Sequence, residues 1–568
     1  MTLLLGGACD PGGDGGTGTS GDAGSPPHDG GRADSGVTPD GSTPPDGGRP
    51  PVVLDNPCGP EVDFCEQGAD MGIGGLGYGR GATVVDVDGD GWLDIWRSDS
   101  GSPLVGHPIE SGLYRNRRDG TFELVELGIA EEHRASVWGG VFGDIDGDGD
   151  PDLFLANGGY GGRASAALYR NDLAESGRFV DITEEAGIDS DPYAWWGASF
   201  GDYDGDGDLD LIAVARTADS EDVGNNVQLY ENQGDGSFVE VSAEVGLPDP
   251  PGDMKNPAWI DYDRDGDLDL ILGRLYPGPS EDGGAGLFEN RGEEGFVQVD
   301  PEAFPGEPLA TDWEFAFAVA VADFDQDGWP DVYLGRWDEQ DYVALNNGDG
   351  TFDLAGPEIG LSHDSELNTM GLGVGDFTGN GFPDVFIGPG DPSTAKPPVV
   401  YCGEGQPSFH LVPCGADFID AVEVDRWHGP ALGDLDRDFD TDVVWNLGGF
   451  SQYDDLEGTD TRGALAVFIN HAGPLEPTAR VLLESTDSAP TPVGAHLHVR
   501  GVRDHFRIVQ GAQGFTSQNA EQMLLPLGGL FEAPVDVTWP SGSRETFMLR
   551  DRQTHVLVEG EGEPLAPR

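Results

Sequence analysis

The chain has 568 residues, more than one ordinary hydrophobic core can organise unless the core is built from repeats. Glycine is over-represented at 91 residues, and 105 acidic residues against 29 basic ones leave a formal net charge of −76. That balance argues against nucleic acid as a partner, because phosphate binding needs clustered Lys and Arg. It leaves two uses for the carboxylates, solubility or metal ligation, which only their pattern can separate.

Residues 1–9 form a short apolar run with small residues before Cys9. This resembles the end of a bacterial lipoprotein signal, although Leu5 stands four residues before the cysteine rather than three and no basic leader precedes it. The segment is expected to be a truncated signal with a lipid anchor at Cys9; a free cysteine is the plain alternative. Residues 10–52 are almost entirely Gly, Asp, Pro, Ser and Thr, and cannot bury enough surface to offset their ordering entropy, so a flexible linker is expected. No stretch is long and apolar enough to span a membrane as a helix. The other cysteines form close pairs, Cys58 with Cys65 and Cys402 with Cys414. Local disulfides of an oxidising compartment are expected, since neither pair has zinc-finger spacing.

Residues 53–480 repeat. Copies of an acidic loop start at Asp86, Asp144, Asp202, Asp261, Asp323, Asp376 and Asp434, that is 58, 58, 59, 62, 53 and 58 residues apart. Each copy runs from an apolar segment such as Ala82–Val85 through the acidic loop to a second apolar segment such as Leu153–Leu155. An aromatic-Xaa-Asn signature follows (Tyr114–Asn116, Tyr169–Asn171, Tyr230–Asn232, Phe288–Asn290), then a turn and a last short strand. Four short strands per unit, repeated around an axis, predict an all-β fold: a seven-bladed β-propeller. A linear solenoid is the alternative, with normally shorter repeats.

The first loop reads Asp86-Val-Asp88-Gly-Asp90-Gly-Trp-Leu-Asp94. Carboxylates at positions 1, 3, 5 and 9 converge only if the chain wraps round a point, and glycine at position 6 permits that turn. An all-oxygen set of this density suits a hard cation of high coordination number, Ca²⁺. A solvated acidic turn would leave four like charges crowded together. The same pattern gives Asp144, Asp146, Asp148 and Asp152; Asp202, Asp204, Asp206 and Asp210; Asp261, Asp263, Asp265 and Asp269; and Asp323, Asp325, Asp327 and Asp331. Copy six has Asp376, Thr378, Asn380 and Asp384, two charges short. Copy seven keeps Asp434, Asp436, Asp438 and Asp442 but has Phe439 at position 6, a strained choice if the loop needs positive φ.

These loops resemble the FG-GAP or VCBS repeats of integrin-alpha-like propellers, and blade ends such as Phe179–Ile188 and Phe238–Leu247 resemble the cartilage acidic protein family. Residues 481–568, with Val493-Gly-Ala495, Gly511–Asn519 and Val537–Gly542, are similar to an ASPIC/UnbV domain and are expected to form a small C-terminal β-rich domain. The resemblance implies an extracellular or envelope-surface protein that binds calcium and a protein or carbohydrate ligand, with calcium in a structural role. No catalytic residue is expected.

Three further groups merit attention. Trp138, Trp195, Trp196, Trp313, Phe317 and Trp427 lie where the first strands begin, almost 20 Å from the acidic loops at about 3.3 Å per residue. They read as blade-packing core, or as an aromatic binding face. His496, His498 and His505 form a weak candidate for zinc. Arg80, Lys255 and His428 could supply the base of a polysaccharide lyase, the alternative function.

Overall fold

The computed structural model describes residues 64–565 except 102–110, 159–164, 190–193, 217–225, 249–251, 278–285, 300–315, 338, 364–366, 391–395, 406–408, 415–426, 449–461 and 515. The expectations for Cys9, for the 10–52 linker, for Cys58 and for Trp313 lie outside the described residues.

Short runs of β-branched and aromatic residues, cut by Gly, Asp and Asn turns, give short antiparallel strands. In the first repeat, Gly79–Val85, Asp94–Asp99, Gly112–Asn116 and Phe122–Val125 make one four-stranded meander. The same order recurs in units whose first strands are Val137–Gly143, Ala194–Gly201, Gly252–Ile260, Ala316–Ala322 and Thr369–Gly375. The last unit is completed from the other end of the chain. Strands Trp427–Gly433, Asp442–Gly448 and Arg462–Asn470 take Phe64–Glu66 as their outer strand, with Cys65 opposite Ile469. First strands of successive units pack side by side, and Trp427–Gly433 packs on Gly79–Val85, so the meanders are the blades of a closed β-propeller.

The core lies between blades. Val141, Phe154 and Leu168 of the second blade pack on Phe200, Leu211, Ala213 and Tyr230 of the third. Both faces of a blade are covered, so first strands such as Val137–Gly143 are buried at every residue instead of every other one.

Each first strand also slips register at the residue six before its loop aspartate. The residues there are Arg80, Trp138, Trp196, Lys255, Phe317, Met370 and His428, one per blade, and each is 2 % exposed or less. The bulge turns these side chains toward one another. The Trp138 and Trp196 rings lie 3.9 Å apart, the Lys255 Nζ stands 3.0 Å from the Trp196 ring centre, and the Arg80 guanidinium lies 4.6 Å over Trp138.

The C-terminal residues form two small sheets. One holds Thr478–Glu484, Met523–Pro526 and Thr554–Val558; the other is built on His496–Val499, His505–Ile508, Glu532–Thr538 and Arg544–Arg550. Between them Val481, Leu497, Val535, Trp539, Leu549 and Leu557 make a separate core. One loop of this domain, around Gly511–Asn519, leaves it and enters the propeller axis. The Gly514 N–H donates to the Val319 carbonyl at 2.7 Å, and Gln518 bonds Ala82, Val84 and both backbone groups of Phe142. The Thr516 N–H donates to Asn256 Oδ1 at 3.1 Å, and the Leu432 N–H to Asn519 Oδ1 at 3.0 Å. A Cβ at Gly81 would collide with the Thr516 carbonyl, which is why the first blade carries glycine there.

Candidate metal centres

Each acidic loop joins the first two strands of its blade, and backbone hydrogen bonds to its own carboxylates wind it tight. In the first loop Asp86 Oδ1 accepts the Asp90 N–H at 3.0 Å, Asp86 Oδ2 accepts the Gly91 N–H at 2.7 Å, and Asp90 Oδ1 accepts the Trp92 N–H at 2.9 Å. The third loop repeats all three contacts with Asp202 and Asp206, at 3.0–3.2 Å. The chain turns through left-handed φ twice per loop. Position 6 has φ between 83° and 102° in loops one to six, and position 4 has φ between 59° and 73° in all of them. The second turn was not foreseen from the sequence, and non-glycine residues occupy it at Arg264, Gln326 and Arg437.

Wrapping brings the carboxylates together. Three side chains place an oxygen within 4.8 Å of one another in each of loops one to five: Asp86, Asp88 and Asp90; Asp144, Asp146 and Asp152; Asp202, Asp204 and Asp206; Asp261, Asp263 and Asp265; Asp323, Asp325 and Asp331. Position 9 is the most buried member. Its two oxygens accept backbone N–H groups, as Asp210 does from Tyr203 and Asn232. Desolvation, with the neighbouring aspartates, pushes Asp94 and Asp152 up to about 8 and Asp210 and Asp269 up to about 9. Asp202, Asp204, Asp263 and Asp325 rise to about 6, again chiefly through burial. Crowded, desolvated carboxylates with hard oxygen donors are the chemistry a divalent cation of the calcium type fits.

A family model described as an FG-GAP-like repeat matches residues 86–155, 144–213, 214–272 and 323–387, which take in the acidic loops of blades one to six. The chain carries FG-GAP-like repeats. It is similar to cartilage acidic protein 1 of Mus musculus, 26 % identical over 350 residues, which are 58 % of this chain and 50 % of that one. It is also similar to integrin alpha-7 of Homo sapiens, 26 % identical over 155 residues, 25 % of this chain and 13 % of that one. The chain spans about half the length of the cartilage acidic proteins it matches. Among solved structures, PorZ, a surface component of the type-IX secretion system of Porphyromonas gingivalis, matches at TM-score 0.42 and 11 % identity, covering 84 % of this chain and 59 % of that one; so distant a likeness carries no argument. No described helix is long and apolar enough to cross a membrane.

The asparagine of the aromatic-Xaa-Asn signature has a role in the FG-GAP-like repeats that the sequence did not disclose. Its Nδ2 donates to the position-2 carbonyl of the preceding blade's acidic loop: Asn171 to Val87, Asn232 to Ile145, Asn290 to Tyr203, Asn346 to Tyr262 and Asn470 to Phe377, at 2.7–2.9 Å. Asn116 does the same to Leu435 of the last blade at 3.1 Å. Its own N–H holds position 9 of its blade, as in Asn116 to Asp94. One residue therefore ties two neighbouring loops. Blade six has Gly403 in this place, whose N–H holds Asp384 but which has no side chain to reach blade five.

Two loops of the FG-GAP-like repeats depart from the pattern, and both meet arginines of the C-terminal domain. Arg507 pairs with Asp376, and Arg480 pairs with Asp434. Phe439 adopts φ 75°, the strained region expected, and the Arg480 guanidinium lies 4.6 Å over its ring. In the first loop the exposed Arg115 and the half-buried Arg118 of the same blade pair instead with Asp88 and Asp90.

The remaining candidates resolve as follows. Trp138, Trp195, Trp196, Phe317 and Trp427 are buried, as the packing alternative requires. Lys255 lies between Trp196 and Phe317, and Arg80 Nη1 stands 3.5 Å from His428 Nδ1. His496, His498 and His505 engage three different carboxylates, Asp261, Asp504 and Glu476, and are not gathered on one ion. Cys402 and Cys414 form a disulfide across the outer hairpin of blade six, and Cys65 is disulfide-bonded.

Proposed function

We propose that this protein is an extracellular recognition module in which calcium ions in the acidic loops hold a propeller rigid for binding a protein or carbohydrate at a cell surface. The observation that carries the reading is the convergence of three aspartate oxygens within 4.8 Å in each of five loops. Burial raises the cost of charge on these groups, and a divalent ion offsets it. Paired cysteines and the weak affinity usual for extracellular calcium modules favour a compartment rich in calcium and oxidising. A binding role is supported over a lyase-type activity because Arg80, Lys255 and His428 are buried, the first two against aromatic rings.

An ion that binds only the native state stabilises it by about 2.7 kcal/mol per site at a hundredfold excess over Kd. Calorimetry of the full chain with calcium and with EDTA is expected to show a large drop in Tm on chelation, and coincident curves would sink the calcium reading. Loss of binding to a panel of acidic and neutral polysaccharides and matrix proteins on chelation tests the recognition role. Unsaturated sugar products in the same panel would favour the lyase.

A further inference from the structure

The sixth acidic loop lacks two of the charges that a cation would need, and its Asp376, Asn380 and Asp384 side chains are already engaged. Thr378 and Asn380 stand at positions 3 and 5. Asn380 turns its amide inward: Oδ1 accepts the Phe382 N–H at 2.8 Å, and Nδ2 donates to the Gly403 carbonyl at 2.8 Å. Asp384 accepts the Phe377 and Thr378 N–H groups on Oδ2, both at 2.9 Å, and the Gly403 N–H on Oδ1 at 2.8 Å.

A cation is nevertheless present. Arg507, on the strand His505–Ile508 of the C-terminal domain, places Nη2 2.7 Å from Asp376 Oδ2. Its Nη1 donates to the Gly381 carbonyl at 3.0 Å. The guanidinium thus takes the first-position carboxylate and a main-chain carbonyl of the loop, two oxygens of the kind a wrapped ion would use. Both partners are largely out of water, at 17 % and 4 % side-chain exposure. The strand that carries Arg507 is fixed on either side. Gln326 of loop five exchanges hydrogen bonds with both backbone groups of Phe506, at 2.8 and 3.1 Å. His505 lies against Gly381 and edge-on to Phe382.

Loop seven differs. Arg480 reaches Asp434, but Asp436, Asp438, Asp440 and Asp442 stay together beside it, leaving carboxylate in excess of one guanidinium.

We propose, resting on the reading of the other acidic loops as calcium sites, that Arg507 is the resident cation of loop six, that this loop binds no calcium, and that the pair is a latch holding the C-terminal domain on the propeller at any calcium concentration. Asp376, Thr378, Asn380 and Asp384 then leave the set of metal ligands drawn from the sequence. A carboxylate buried beside a guanidinium counter-charge cannot lose that partner cheaply, and an ion entering the loop would have to expel the arginine.

The test uses the full chain. Equilibrium dialysis with radioactive calcium counts the ions bound by the wild type, Asp204→Asn and Asp376→Asn. The expected result is one ion fewer for Asp204→Asn and the wild-type number for Asp376→Asn. One ion fewer for Asp376→Asn overturns the proposal. A wild type that binds no calcium overturns the calcium reading instead, and the latch is then read from melting. Arg507→Gln, Asp376→Asn and the double variant are melted in EDTA and in calcium. Each single change is expected to lower Tm by roughly 2–4 °C in both media, with the double no worse than the poorer single. Additive losses, or a coupling present in EDTA that disappears in calcium, would show that the arginine does not hold the loop.

Discussion

Asp210 shows the conflict that a single side chain resolves in this protein. It is 1 % exposed, its oxygens hold two backbone N–H groups, and burial with the nearby Asp204 and Asp202 pushes its carboxyl up to about 9. Asp94, Asp152 and Asp269 share the situation, at about 8, 8 and 9. An unfolded aspartate titrates near ~3.9. Without a cation the native state therefore binds protons that the unfolded chain releases above that pH, and stability falls as pH rises toward 8–9. The metal-depleted protein is expected to melt at a higher temperature at pH 5 than at pH 8.5. With calcium the order reverses, because ion binding requires the ionised carboxylates. A chelated protein whose Tm climbs over that interval would contradict the burial argument. Phe439 carries a second conflict: a non-glycine residue at φ 75° costs about 1–2 kcal/mol. Its ring is 9 % exposed beneath Arg480, and burying an aromatic side chain is worth more, about 1.5–3 kcal/mol, so the strain persists.

At the scale of the element, the acidic loop was legible because everything that shapes it is local. Asp86 closes on groups four and five residues away, and position 9 returns to position 2 across seven. The blade period could be read for the same reason. The asparagine ties could not, since Asn171 reaches a carbonyl 84 residues away and Asn116 one 319 away, and a repeated asparagine alone does not say what it touches. Asn232→Ala would strand the Ile145 and Leu209 carbonyls and remove the Oδ1 that accepts the Gly234 N–H at 3.1 Å. It is expected to cost about 2–4 kcal/mol, read by denaturant melts, against under about 0.5 kcal/mol for an exposed control such as Glu244→Ala. Equal losses would make the tie ornamental. Blade six shows why one tie is missing. A side chain at Gly403 would collide with the Pro383 carbonyl, so the gap cannot be filled by substitution there.

For the whole molecule, the C-terminal motif was recognised as a domain, but nothing in its spacing tells that Gly511–Asn519 leaves that domain for the propeller axis, where its partners are backbone groups of blades one, two, five, six and seven and the Asn256 side chain of blade four. Six of the seven residues that stand six before a loop were singled out in the sequence, all but Met370, but their convergence was not legible: bulges, not periodicity, turn them inward. Gly81→Val is expected to unseat the loop, seen as new cleavage near residues 510–520 in limited proteolysis at unchanged calcium content. Wild-type resistance in that variant would mean the loop is not held by close packing at its tip. The closing strand sets a schedule for synthesis. Phe64–Glu66 emerges early, yet Glu66 meets Val467 401 residues later. At about 5–20 residues per second a ribosome takes roughly 20–80 s to cover that distance. Until then every blade made is an open fan with an unpaired rim, and the loop that fills the axis is made later still. The export proposed above would therefore meet a chain that stays unclosed, and threadable, for as long as its translation lasts.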